Sequence, residues 1–157
     1  MNDGYIWIWR DRIYQDAYDR ILMMQEEFSK HYWIKFIDAN GYEEEGADGG
    51  GLFKEFINEV LKSAMSDAYG FFLETPITWT YYPNPRSEEI PDYDSHFWLI
   101  GMIVGKALQK GILIPCEFSK FFLNLIVGVE NTFNELKSLD KTLYDNLIFL
   151  KNYEGNV

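Results

Sequence analysis

Apolar residues recur along this chain in two rhythms. Near the start, Tyr5-Ile6-Trp7-Ile8-Trp9 is a short aromatic run that predicts a strand. The apolar positions Ile13, Tyr14, Ala17, Tyr18, Ile21 and Leu22 then step by three and four, so they line one helix face, with Asp11 placed to cap it. A second strand is predicted over residues 32–38, with Tyr32, Ile34 and Phe36 on one side and Asn40-Gly41 as the turn that ends it. Helical spacing returns at Leu52, Phe53, Phe56, Ile57, Val60, Leu61, Ala64 and Met65. Gly70-Phe71-Phe72-Leu73 and Ile77-Thr78-Trp79-Thr80-Tyr81 read as two short strands around Thr75-Pro76. Tyr82-Pro83-Asn84-Pro85 is not expected to continue a ladder, because each proline lacks an N–H.

The second half reads as helical. Asp94 or Ser95 can cap a helix that runs to about Lys110, with Gly111 as its stop. Its residues Phe97, Trp98, Leu99, Ile100, Met102, Ile103, Val104, Ala107 and Leu108 leave almost no polar face, which predicts burial on several sides. Gly101 and Gly105 lie four apart, where missing side chains let a neighbouring element come close. A further helix carries Phe118, Phe121, Phe122, Leu125 and Ile126, and the last ones carry Phe133 to Leu139 and Leu143 to Leu150, with Asp140 as a cap between them. The fold class is therefore α+β, mainly helical with a few short early strands, in one domain without repeats or long linkers.

Composition narrows the function classes. Hydrophobic residues make up 47% of the 157, enough for a globular core. No apolar run reaches the roughly 18 residues that a membrane span requires, and the N-terminus does not look like a signal peptide, so no membrane association is expected. A single cysteine cannot form an internal disulfide and suits a reducing intracellular compartment, cytoplasmic or nuclear. With 14 Lys+Arg against 25 Asp+Glu, the net charge of -11 repels phosphate backbones and makes nucleic acid an unexpected partner.

Candidate chemistry is sparse. Cys116, read as the start of an aromatic helix, has Glu117 beside it and no sequence neighbour that would activate a thiol, so a packing role is expected. His31 and His96 are isolated from each other and from spaced carboxylates, which argues against a metal site and for structural or surface roles. Gly46-Ala47-Asp48-Gly49-Gly50-Gly51 before a helix could cradle a phosphate, but it lacks a Gly-Lys-Ser/Thr ending, and Glu43, Glu44, Glu45 and Asp48 would repel the anion. A tight loop with Asp48 capping the helix is the expected reading. No triad, acid/base pair or cofactor motif emerges, so no cofactor and no catalytic residue are assigned.

One ordered set of motifs does point further. Gly46-Ala47-Asp48-Gly49-Gly50-Gly51-Leu52-Phe53-Lys54-Glu55-Phe56 resembles the N-terminal lobe of HECT-type ubiquitin ligases. Arg10-Asp11, Asp16-Ala17-Tyr18, Gly70-Phe71-Phe72 and Tyr82-Pro83-Asn84-Pro85 accompany it in the family's order. So do Gly101, Gly105-Lys106-Ala107-Leu108, Phe118, Phe121-Phe122, Leu139-Asp140, Tyr144 and Asn146-Leu147. The resemblance covers nearly the whole chain. Leu52 to Lys62, Gly70-Phe71-Phe72 and Phe149-Leu150-Lys151 are similar to the proteasome-associated branch.

That resemblance implies a two-step transfer, in which a ubiquitin-conjugating enzyme passes ubiquitin to a ligase cysteine as a thioester and a substrate lysine then attacks it. The implied partners are the conjugating enzyme, ubiquitin, protein substrates and, for that branch, the proteasome. It also implies that residues 1–157 are the N-terminal part of the domain, without the conjugating-enzyme-docking subdomain or the catalytic C-terminal lobe. Cys116 does not match the family's catalytic motif, a cysteine that follows threonine and precedes a leucine-rich stretch, so the chain alone is expected to be inactive. In some family members aromatic residues of this lobe bind a second ubiquitin non-covalently, which makes Tyr69, Phe71 and Phe72 candidate ubiquitin-binding residues; inward packing as core is the competing reading. A non-catalytic interaction module that binds ubiquitin or another partner is the alternative function.

Overall fold

The computed structural model describes residues 4–24, 32–44 and 50–155. Strand β1 (Tyr5–Trp9) runs through a 3-10 turn (Arg10–Arg12) into helix α1 (Ile13–Met24), and strand β2 (Trp33–Ile37) lies parallel to β1. Parallel pairing requires a crossover connection, and α1 supplies it. The register sets Ile6 beside Ile34 and Ile8 beside Phe36, and all four are buried. Tyr14, Ala17 and Ile21 bury the facing side of α1. Asp11 makes no side-chain cap; the buried Asp16 carboxylate accepts the Trp9 N–H at 2.9 Å and pairs with Arg12 at 3.1 Å. An exposed Asp11 stays in water, whereas Asp16 closes the turn where a lone backbone donor would otherwise be buried.

Helix α2 (Gly51–Ala64) follows Gly50, whose φ of 95° is a left-handed bend that favours glycine. Phe53, Phe56, Ile57, Val60, Leu61 and Ala64 form its buried stripe, at the spacing the sequence predicts. Arg10 ties this helix to the end of β2. Its guanidinium grips Glu44 through two bonds of 2.8 and 2.7 Å, also pairs with Glu55, and lies 3.7 Å over the Phe36 ring. Most of the glycine loop that these residues flank, Glu45 to Gly49 with the expected Asp48 cap, lies outside the described residues, as does His31.

Strands β3 (Phe72–Glu74) and β4 (Tyr81–Pro83) form an antiparallel hairpin. Two expectations change here. The second strand starts at Tyr81, not Ile77, and Pro83 is within the ladder. Pro83 pairs with Phe72, and the flanking bonds run from Asn84 N–H to the Phe71 carbonyl (2.9 Å) and from Thr75 N–H to the Thr80 carbonyl (2.8 Å). Phe72–Pro83 is thus a non-hydrogen-bonded position, where a missing N–H costs nothing.

Helix α3 (Tyr93–Lys110) ends as expected at Gly111 (φ 66°), where the Ile112 N–H reaches back to the Ala107 carbonyl at 2.9 Å. Neither Asp94 nor Ser95 caps it; Asp92, in a left-handed conformation, precedes it without a side-chain cap. Nor is it buried on several sides. Leu99, Ile100, Ile103 and Ala107 face α1 and α2, while Trp98, Gly101, Gly105 and Leu108 face outward. Nothing in the described residues approaches within 4 Å of where a Cβ on Gly101 or Gly105 would sit, because the packed elements all lie on the helix's other side.

Helices α4 (Lys120–Ile126), α5 (Leu136–Leu139) and α6 (Lys141–Lys151) complete the chain. Asp140 caps α6 as expected, its carboxylate accepting the Leu143 N–H at 2.8 Å. Before α5, Thr132 and Glu135 form a capping box whose hydrogen bonds from Thr132 draw the Glu135 carboxyl down to about 2. Beyond Ser119 no described residue is buried, so Leu125, Ile126, Leu143, Leu147 and Leu150 leave a broad apolar surface. The core lies between the β1–β2 pair, α1, α2 and the inward face of α3. No helix among the described residues is long and apolar enough to cross a membrane.

Candidate functional site

The aromatic segment before the hairpin lies where α1, α3 and β3 meet. Gly70 (φ 68°) turns the chain there, so that the Tyr69 and Phe71 rings stack with centroids 5.5 Å apart. Asn84 holds this bend from the far end of the hairpin: its side-chain NH₂ donates to the Gly70 carbonyl at 2.8 Å and its backbone N–H to Phe71. The Tyr-Pro-Asn-Pro motif thus fixes the position of the Tyr69–Phe71 segment.

The three candidate residues have different surroundings. Phe71 and Phe72 are 1% and 4% exposed and belong to the core, Phe72 packing edge-on against Phe97. Tyr69 is 36% exposed and borders a shallow depression of about 370 Å³ walled also by Asp67, Asn84, Arg86 and Ile90. Beneath it, Tyr14 lies 4.4 Å away, ring to ring, and the Tyr14 hydroxyl is 3.0 Å from His96 Nδ1. Burial pushes the Tyr14 phenol well up. The His96 imidazole is pushed down by burial, against a smaller opposing pull from Asp92.

Sequence reasoning missed the exposed side chains on the same hairpin. Leu73, Ile77 and Trp79 are 40%, 49% and 68% exposed, and Trp79 has a φ of 55°, rare for a bulky residue. The turn that displays them is tightly bonded. The Thr75, Thr78 and Thr80 hydroxyls form a triangle with sides of 2.8, 2.9 and 2.9 Å, and the Trp79 N–H reaches the Thr75 carbonyl at 3.2 Å. The apolar content of Ile77 to Tyr81 imitated a strand; the three threonines close a turn.

Cys116 is not at a helix start. It lies in an extended segment four residues before α4, where Phe118 bridges to Tyr81 and the Tyr81 N–H donates to the Glu117 carbonyl at 2.7 Å. The thiol packs against the core, and burial pushes it up to about 11. Such a thiol is a packing group. Among the described residues, no three His, Cys, Asp or Glu side chains gather where they could hold a metal ion.

Comparison with known proteins bears on the whole chain. A family model described as HECT-domain (ubiquitin-transferase) matches residues 58–157. The chain is 38% identical over 150 residues to "E3 ubiquitin-protein ligase UPL6" of Arabidopsis thaliana, covering 94% of the chain and 14% of that protein. It is 32% identical over 159 residues to "Ubiquitin-protein ligase E3B" of Homo sapiens, covering 98% and 15%. With "E3 ubiquitin-protein ligase HUL5" of Saccharomyces cerevisiae the identity is 33% over 151 residues, covering 91% and 16%. The chain therefore spans about one seventh of the length of these relatives.

Proposed function

The chain belongs to the HECT ubiquitin-transferase family, and from that premise we propose that residues 1–157 are the scaffold of a ligase's N-terminal lobe, with the ubiquitin-accepting cysteine elsewhere in the parent protein. On this reading the parent protein takes ubiquitin from a conjugating enzyme as a thioester and transfers it to substrate lysines inside the cell. The observation that carries the reading is Cys116. It is the single cysteine of the chain, it is packed against the core, and its thiol is held at about 11, the wrong direction for a thioester-forming nucleophile. The exposed apolar side chains of α4 to α6 support it, since large exposed apolar patches normally pack against further protein.

Charging of the parent protein with ubiquitin, using activating enzyme, conjugating enzyme and ATP, is the test. The reducible adduct should survive Cys116→Ala and disappear when residues 1–157 are deleted. An adduct lost in a folded Cys116→Ala protein would contradict the proposal.

A second role is favoured by the exposure of Tyr69 beside its depression and of Leu73 and Trp79 on the adjoining hairpin. We propose that this surface binds ubiquitin non-covalently, with Tyr69 as direct contact and with Phe71 and Phe72 supporting it from the core. Titrating isotope-labelled ubiquitin with the chain should move ubiquitin resonances, and Tyr69→Ala should weaken the response. No shifts at millimolar concentration would end this reading.

A further inference from the structure

His96 lies outside the hairpin yet underlies the surface beside it. Its imidazole stacks on Tyr18 with centroids 4.2 Å apart and lies 4.8 Å from the Phe71 ring. Its Nδ1 meets the hydroxyl of Tyr14, a side chain only 2% exposed. Tyr69 in turn packs on both Tyr14 and Phe71. The exposed tyrosine thus rests on two rings, and both of those rest on His96.

We infer that His96 is a positioning residue for the Tyr69 contact, holding Tyr14 and Phe71 where they present the Tyr69 ring to a bound protein. The inference rests on the reading of Tyr69 as a ubiquitin contact. Its signature is proton linkage. A neutral imidazole lies flat among rings and shares one hydrogen bond with Tyr14. An added proton places a full charge in that aromatic box, which burial already disfavours. The titratable groups facing it are Tyr14 and Tyr18 from α1 and Asp92 just before α3; Tyr69, before β3, touches it only through Tyr14 and Phe71. Asp92 is the charged group acting on the imidazole, and it draws the cation away from the rings and toward water. The buried Tyr14 hydroxyl then loses this hydrogen bond, and Tyr69 loses its fixed support.

The test is a titration of labelled ubiquitin with the whole chain at about pH 7.5 and about pH 5, for the natural sequence, His96→Phe and His96→Gln. Ring resonances of His96 and Tyr69 are followed in parallel without ubiquitin. Affinity should fall severalfold in acid for the natural chain and stay level for whichever variant folds, glutamine keeping a hydrogen-bonding group that does not titrate. Equal losses in natural chain and variant would overturn the inference. If ubiquitin binds nowhere even at about pH 7.5, the ubiquitin reading fails by itself. The ring resonances then decide: Tyr69 signals that follow the His96 titration support the positioning role, and signals that do not move refute it.

Discussion

Alkylation of Cys116 probes the chemistry of the chain at a single atom. Burial raises its thiol from 9.0 to about 11, a shift of about two pH units that lowers the thiolate fraction about 100-fold. At pH 8, about one Cys116 in 1,000 is thiolate, against about one in ten for a thiol that titrates at 9. Iodoacetamide reacts with the thiolate, so intact-mass spectrometry over pH 7 to 9 reads this fraction directly. The native chain should react about 100-fold more slowly than the same chain unfolded in urea, and restricted access to the packed sulfur can only widen the gap. The native rate should also climb about tenfold per pH unit without levelling off, since the whole range lies below the folded value. A plateau below pH 8, or equal native and unfolded rates, would show an accessible low-pKa thiol and refute the packing role.

Core packing, capping and titration make three further predictions. Ile103 is fully buried between α3 and the rest of the core, so Ile103→Ala should cost about 2–5 kcal/mol in urea unfolding; a loss under 1 would mean a looser core. Asp140→Ala should destabilise α6 locally by about 0.5–2 kcal/mol, seen as faster amide exchange over residues 141–145 with α2 unchanged. His96 binds its proton less readily folded than unfolded, so the unfolded state takes up more protons in mild acid. Its contribution to stability is complete above about pH 6.5 and is lost as pH falls through the lowered folded value. Urea midpoints should therefore drop more between pH 7 and 5 in the natural chain than in His96→Phe; parallel drops would assign the acid sensitivity elsewhere.

The stripes of α1 and α2 were legible because their apolar steps match the helix period over several turns, and Gly111 and Asp140 because a stop and a cap are local chemistry. Partners distant in sequence were not. Asp16 bonds a backbone group seven residues away, and Pro83 fits its ladder because of which positions across the hairpin are bonded. The Trp79 turn looked like a strand because threonine and aromatic residues favour strands, while the threonine hydroxyls bond locally and close a turn. Gly101 and Gly105 were expected to meet a neighbour, yet the described residues put nothing there, a matter of how α3 is oriented and not of its composition. At the candidate site, the aromatic cluster around Tyr69 was visible in the sequence. Which ring faces water was not: beside the Gly70 bend Phe71 enters the core while Tyr69 stays exposed.

On the proposed reading, these 157 residues support ubiquitin transfer without performing it. The most direct measurement gives the chain ubiquitin, activating enzyme, a charged conjugating enzyme and ATP, then resolves the products on gels with and without reductant. The expected result is a conjugating-enzyme thioester and no ubiquitin adduct on this chain. A reducible adduct on the chain that vanishes in Cys116→Ala would contradict the claim.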